Sequence, residues 1–334
     1  MEIIFLGTCS QKPSRTRNVT SLALKFNNSE YFLIDCGEGT QRQILFSDDL
    51  KIPNLHSIFI THLHGDHIYG LPGLMSTLNS QRTEPLTIFG PKGLKKFCSI
   101  FEKSIYEFPL FICEIEGVYN DVITLNFPSK QIKVEACYVK HTTECFAYCF
   151  TETKNKFKID IGKVNPIITQ YGEEIKQLGY VPPKKILTEF SKDINFQVTL
   201  SDKTVCARDY IKDCIPKKLI IALDNFNCDN IFTFFKDCDV LIHESTFIVM
   251  SDFSQEDKYS ITSQAVEKGH STNIMASLNA MKIDAKKLVL THFSNRYKVT
   301  DGKMEEETQI IKSCNSVGFK GEVITAYDFT EVDV

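Results

Sequence analysis

Short apolar runs, each ending in a cluster of polar residues, set the rhythm of this chain. Ile3-Ile4-Phe5-Leu6, Tyr31-Phe32-Leu33-Ile34, Ser57-Ile58-Phe59-Ile60, Val134 to Val139, Leu219 to Leu223, Val240-Leu241-Ile242 and Leu288-Val289-Leu290 have the length and composition of buried strands. The last six run into Asp35-Cys36-Gly37-Glu38-Gly39, Thr61-His62, Lys140-His141, Asp224, His243-Glu244 and Thr291-His292. Polar residues just past strand ends, interleaved with helical stretches such as the one around Ser263 to Met281, predict an α/β fold of layered αββα type. Its strand-end loops would converge on one site. The echo of Ile58 to His62 in Leu288 to His292 is too short to establish a duplication.

One stretch breaks the rhythm. Residues 152–192 show little periodicity outside Ile167 to Leu178 and contain the turn-forming Pro182-Pro183. They hold eight basic and five acidic residues, whereas the rest of the chain holds thirty basic and thirty-seven acidic. We therefore expect an inserted arm at 152–192 within a catalytic body formed by 1–151 and 193–334. A solvated surface excursion is the alternative.

The 334 residues are 43% hydrophobic and 24% charged, with a net charge of −4. That is ordinary globular composition, so any nucleic-acid contact has to be local. No apolar run approaches the ~18 residues needed to span a bilayer, so no membrane partner is expected. The strand-like start leaves no room for a leader, and cytoplasm or nucleus is the expected compartment. Twelve cysteines without C-x-x-C pairs are expected to be reduced thiols, with Cys36, Cys137 and Cys149 as core fillers.

The chemistry sits in His62-Leu63-His64-Gly65-Asp66-His67, where four of six side chains can bind metal in a chain with only eight histidines. Alternation lets His62 and His64 face one way, and Gly65 is expected to permit a turn that brings Asp66 and His67 round. Imidazole and carboxylate without cysteine suit Zn²⁺ in an open, catalytic site. A dinuclear site needs more ligands, and His141, Asp224 and His292 stand at matching strand ends. The expected arrangement is His62, His64 and His141 on one ion, Asp66, His67 and His292 on the other, and Asp224 between them. Two Zn²⁺ sharing a water lower its pKa from about 15.7 towards 7, which supplies a nucleophile for hydrolysis. His56 precedes a strand and is expected at the surface.

This constellation resembles the metallo-β-lactamase superfamily, and further motifs are similar to those of the tRNase Z family. Pro13-Ser14-Arg15-Thr16-Arg17-Asn18 resembles its proline-to-Arg-Asn loop. His243-Glu244-Ser245-Thr246 and Gly269-His270-Ser271-Thr272 resemble its proton-shuttle loops, and Asp35 to Gln43 and Thr291 to Tyr297 also match. The resemblance implies a zinc-dependent endoribonuclease that removes the 3′ trailer from precursor tRNA, leaving a 3′-hydroxyl on the tRNA and a 5′-phosphate on the trailer. It implies two Zn²⁺ per subunit and a homodimer. Asp66 would be both ligand and proton acceptor, and His270 backed by Glu244 the donor to the leaving oxygen. Arg15, Arg17 and Asn18, with Lys184 and Lys185 in the arm, would bind the RNA.

The chain departs from the family pattern in three places. Lys184-Lys185 stands where a Gly-Pro step belongs, Asn225 follows Asp224 in place of threonine, and Ser245 replaces alanine. Two rival readings follow: a hydrolase of small esters or thioesters on the same fold, and a non-catalytic tRNA-binding scaffold.

Overall fold

The structure, a computed structural model, describes residues 1–26, 30–101, 107–126, 131–153, 157–213, 215–297, 299–300, 303–304 and 306–334. The apolar runs assemble into two seven-stranded sheets. In the first, the order is Glu331–Asp333, Glu2–Gly7, Ser21–Lys25, Tyr31–Ile34, Leu55–Phe59, Leu86–Gly90 and Leu110–Glu114. In the second it is Glu322–Thr325, Lys287–Thr291, Val240–Glu244, Lys218–Ala222, Glu144–Glu152, Ile132–Lys140 and Val122–Leu125.

One apolar cluster takes Phe5, Phe32 and Phe59 from the first sheet and Phe146, Tyr148, Phe150 and Val240 from the second. The rings of Phe59 and Phe150 meet edge to face at 5.4 Å between centroids, so the two sheets share this core. On the outer face of the first sheet, Ile58 and Ile60 pack with Leu71, Leu74 and Met75 of helix Leu71–Asn79. On the outer face of the second, Leu288 and Leu290 pack with Ala276 and Ala280 of helix Asn273–Lys282 and Ile310 of helix Glu307–Ser316. The layers run helix, sheet, sheet, helix. Among the described residues no helix is long and apolar enough to cross a membrane. The described cysteines are free, and burial pushes the thiols of Cys36, Cys137 and Cys228 upward.

Parallel pairing explains why the polar residues meet. Ile34 pairs with Phe59, Ala222 with His243, and Glu244 with Thr291. Residues that follow these positions therefore emerge at the same sheet edge, as they do at the carboxyl ends of other parallel sheets.

Residues Glu152–Pro216 form a second compact unit. It contains helices Ile161–Gln170, Gly172–Gln177 and Ile186–Lys192, and a hairpin of Gln197–Thr199 with Thr204–Cys206. Strand Phe157–Ile159 pairs with Ile211–Asp213. The expected boundary at residue 192 falls short, because Val198, Leu200 and Val205 of the hairpin share one core with Val164, Ile175, Ile186 and Phe190.

Two smaller expectations are also corrected. The helical stretch around Ser263 to Met281 is two helices, Gln255–Glu267 and Asn273–Lys282. Gly269 takes φ +80°, a left-handed turn that ends the first, and the Thr272 hydroxyl accepts from the Met275 amide to cap the second. His56 is half-buried, its ring edge-on to Phe26 and Phe32 at 5.7 and 5.3 Å.

Candidate metal centre and active site

The loop after Leu55–Phe59 is pinned before it reaches its first histidine. Thr61 donates its amide and its hydroxyl to the two oxygens of Asp35, at 2.7 and 2.8 Å. His62 follows, and Gly65–Ile68 forms a short helix carrying Asp66 and His67. Gly65 lies outside the left-handed region. Its lack of a side chain instead makes room for Tyr69, whose ring would stand 2.2 Å from an added Cβ.

Side chains separated by more than two hundred residues meet here. His62, His64, His141 and Asp224 offer ligand atoms within 4.8 Å of one another, and so do Asp66, His67 and His292. Asp224 faces both groups. Its Oδ2 lies 3.9 Å from His62 Nε2 and 3.7 Å from His141 Nε2, while Oδ1 lies 3.2 Å from both His67 Nε2 and His292 Nε2. Asp66 Oδ2 is 3.6 and 3.5 Å from the Nε2 atoms of His67 and His292, and it accepts the Gln11 amide at 2.6 Å.

Four rings are oriented through Nδ1, which leaves Nε2 turned into the site. His67 is held by Asp35 at 2.7 Å, His141 by the Gly269 carbonyl at 2.7 Å, His292 by Thr246 Oγ1 at 2.9 Å and His62 by Thr61 Oγ1 at 3.0 Å. Partners of this kind set ring orientation and basicity in metal sites. Sequence reading gave no role to Asp35, Thr61, Thr246 or Gly269. The signal for Asp35 was its position one residue beyond a strand. Asp35 and His292 both take left-handed backbone conformations, with φ of 57° and 58°.

These residues fit a pair of cations. His62 Nε2 is buried with no hydrogen-bond partner. His67 Nε2 approaches His292 Nε2 to 3.3 Å, and His64 Nδ1 approaches His141 Nε2 to 3.2 Å. Imidazole nitrogens this close together beside carboxylates call for a positive charge among them, and nitrogen with carboxylate oxygen suits Zn²⁺. The electrostatics agree. Burial opposes ionisation of Asp224, but the imidazoles of His292, His67 and His62 overcome it and hold the carboxyl well below its usual range. Burial likewise disfavours charge on His67, yet Asp224, Asp35 and Asp66 drive its pKa well up.

Beside the two groups, His270 Nδ1 lies 3.1 Å from Glu244 Oε2 and 3.6 Å from Asp224 Oδ2. Burial lowers the His270 pKa, but the Glu244 carboxylate outweighs it and lifts the value to about 9. Burial also opposes charge on Glu244, and His270 reverses the balance to bring its pKa below normal. Glu244 is fully buried and accepts the Asn225 amide at 2.6 Å and the Thr246 hydroxyl. The Asn225 side chain turns away, donating to the Leu223 carbonyl at 2.7 Å, and the Ser245 hydroxyl is satisfied by the Phe247 carbonyl at 3.3 Å. His243 is a core residue, bonded to the Glu244 carbonyl and to Asn279.

A cavity of about 800 Å³ opens onto the cluster, lined by Asp66, Asp224, His64, His270 and His292 together with Gln11, Lys12, Phe247, Lys268 and Arg296. Arg17 is not the phosphate clamp its sequence position suggested. It is 3% exposed, donates to Thr8 Oγ1 and the Ala326 carbonyl at 2.6 and 2.7 Å, and lies over the rings of Phe293 and Tyr327. The closing segment of the chain has folded over it. Asn18 serves the same loop: its amide donates to Asp328, and its carbonyl accepts the amides of Thr8 and Cys9. Arg15 is exposed, and Lys184 and Lys185 are exposed on a single 3₁₀ turn of the second unit.

Comparison with known proteins gives the following. Residues 1–105 match the family described as anti-Pycsar protein Apyc1. Over 307 residues the chain is 39% identical to ribonuclease Z of Prochlorococcus marinus (strain MIT 9301), covering 89% of each. The solved structure of human tRNase Z, short form, superimposes with a TM-score of 0.64 at 28% identity, over 100% of this chain and 99% of that one. The metallo-β-lactamase fold protein YhfI of Bacillus subtilis, 15% identical with a TM-score of 0.61 over 99% of each, shares the fold.

Proposed function

The chain belongs to the ribonuclease Z family, and we propose that it acts on precursor tRNA, cutting off the 3′ trailer to leave a 3′-hydroxyl on the tRNA and a 5′-phosphate on the trailer. It is a hydrolase of the tRNA 3′-processing class with the metallo-β-lactamase fold. The observation that carries this reading is identity of 39% to a ribonuclease Z over nine-tenths of both chains.

Two Zn²⁺ per subunit would be held by His62, His64 and His141 on one side and Asp66, His67 and His292 on the other, with Asp224 shared. Bound there, they would polarise the phosphodiester and make water acidic enough to attack near neutral pH. Asp66 lies on the cavity wall, where it can take the proton of the attacking water. His270, kept protonated by Glu244, gives a proton to the 3′ oxygen, an alkoxide that would otherwise leave poorly. By likeness to the family, we extend the proposal to a homodimer.

With Zn²⁺ present, purified protein is expected to cut a precursor tRNA just after the discriminator base, with activity lost on chelation and regained on adding Zn²⁺. End mapping of the products is the measurement. Absence of that cut, alongside robust turnover of a generic ester or thioester, would move the assignment to a small-molecule hydrolase.

We propose that the Glu152–Pro216 unit grips the tRNA, with Lys184 and Lys185 among its backbone contacts. The unit has its own core, so removing only part of it would leave apolar residues uncovered. Thr151 and Lys218 are direct partners in the antiparallel ladder, so a short turn can replace the whole unit. That deletion is expected to weaken tRNA binding about tenfold or more while hydrolysis of a small phosphodiester stays within about threefold. Unaltered tRNA affinity in a gel-shift titration would remove the assignment.

A further inference from the structure

At the mouth of the cavity stands a ring with no part in the chemistry above. Phe247 is 3% exposed, its amide donates to the Ser271 carbonyl at 3.2 Å, and it lines the cavity with His270. Two exposed cations close on it. The guanidinium carbon of Arg296 lies 4.7 Å from the ring centroid and the Lys268 ammonium 5.8 Å, and both residues line the same cavity. Arg296 Nε also donates to Ser294 Oγ at 2.9 Å, which fixes the plane of the guanidinium. An aromatic ring attracts the flat face of a guanidinium through the negative charge over its face. The N–H edges then remain available in a fixed fork that matches a phosphate.

We propose that Lys268 and Arg296, seated on Phe247, form a clamp for backbone phosphates of the tRNA strand on the leaving-oxygen side of the cut. This rests on the reading of His270 as proton donor to the tRNA 3′ oxygen. Lys268 is two positions from His270, in the same connection between helices Gln255–Glu267 and Asn273–Lys282. The phosphates it meets therefore belong to the acceptor strand just 5′ of the scissile bond, not to the trailer. Contacts of this kind position a strand without reading bases, which suits an enzyme that has to accept every tRNA. A chain of net charge −4 has to concentrate such cations where the strand passes.

The test is steady-state cleavage of one precursor tRNA across a salt series, with thermal melting of each variant as the check on folding. Arg296→Ala and Lys268→Ala are each expected to raise KM about tenfold with kcat within about threefold. Each should also flatten the slope of log(kcat/KM) against log salt by about 0.7–0.9. Arg296→Lys should regain the slope, and Phe247→Leu, which keeps apolar bulk without the ring, should raise KM by a smaller factor. Unchanged KM and slope in both alanine variants overturn the clamp. A fall in kcat with KM and slope intact overturns it too, since the residues would then be shaping the site. Effects that vanish when the trailer is cut to a few nucleotides place the contacts on the wrong strand. If the wild-type enzyme leaves the precursor uncut, it is the family-based reading that fails.

Discussion

Asp66→Ala is expected to lower precursor-tRNA cleavage by about 10³-fold or more while tRNA affinity changes by less than about threefold. The asymmetry follows from where this carboxylate sits. Its Oδ2 lies at 3.5–3.6 Å from two imidazole nitrogens of the second ligand group, so alanine would delete both the proposed ligand and the proposed proton acceptor. Little of the fold depends on it: the hydrogen bond it accepts from the Gln11 amide is at the surface, where water can take its place. On the proposals above, the strand would be held elsewhere, by the Glu152–Pro216 unit and by Lys268 and Arg296. Asp66→Asn keeps the shape but not the charge and should also be severely impaired. Parallel loss of binding and cleavage in a filter-binding assay beside single-turnover kinetics would mean that Asp66 holds the loop together and does not act in the reaction.

The second large effect concerns leaving-group protonation. His270→Ala is expected to cut precursor-tRNA cleavage by about 10²–10⁴-fold, and Glu244→Gln by a smaller factor in the same range. A p-nitrophenyl phosphodiester, whose phenolate leaves without help, should lose far less. That contrast separates proton donation from general damage, because a distorted site would slow both substrates alike. Glutamine is preferred to alanine at position 244, where the carboxylate is fully buried and accepts the Asn225 amide and the Thr246 hydroxyl. Stranding those donors would cost about 1–3 kcal/mol and blur the result. Equal losses on the two substrates would remove His270 from the donor role.

The candidate metal ligands stand out in the sequence because they crowd one strand end or recur at others, and strand ends can be read from apolar runs alone. Asp35 was harder: its partners Thr61 and His67 come beside it only through the parallel pairing of Ile34 with Phe59. Thr246 depends in the same way on the register that sets Glu244 against Thr291. Arg17 misled because a basic residue in a polar loop reads as solvated, and nothing local shows that Ala326 to Asp328 will cover it. The second unit outran its expected end because three-residue strands such as Gln197–Thr199 are too short to leave a periodic trace. The break before Asn273 was written in Gly269 and Thr272, which are stop and start signals for helices.

The left-handed corners at Asp35 and His292 set a limit on how robust this protein can become. Each holds a side chain where glycine would sit more comfortably, at a strain of roughly 1–2 kcal/mol. Selection for heat tolerance alone would erode those two positions first, and with them an imidazole of the second ligand group and the carboxylate that aims another. A hardier version of the enzyme has to be built from its outer helices, leaving these corners as taut as they are.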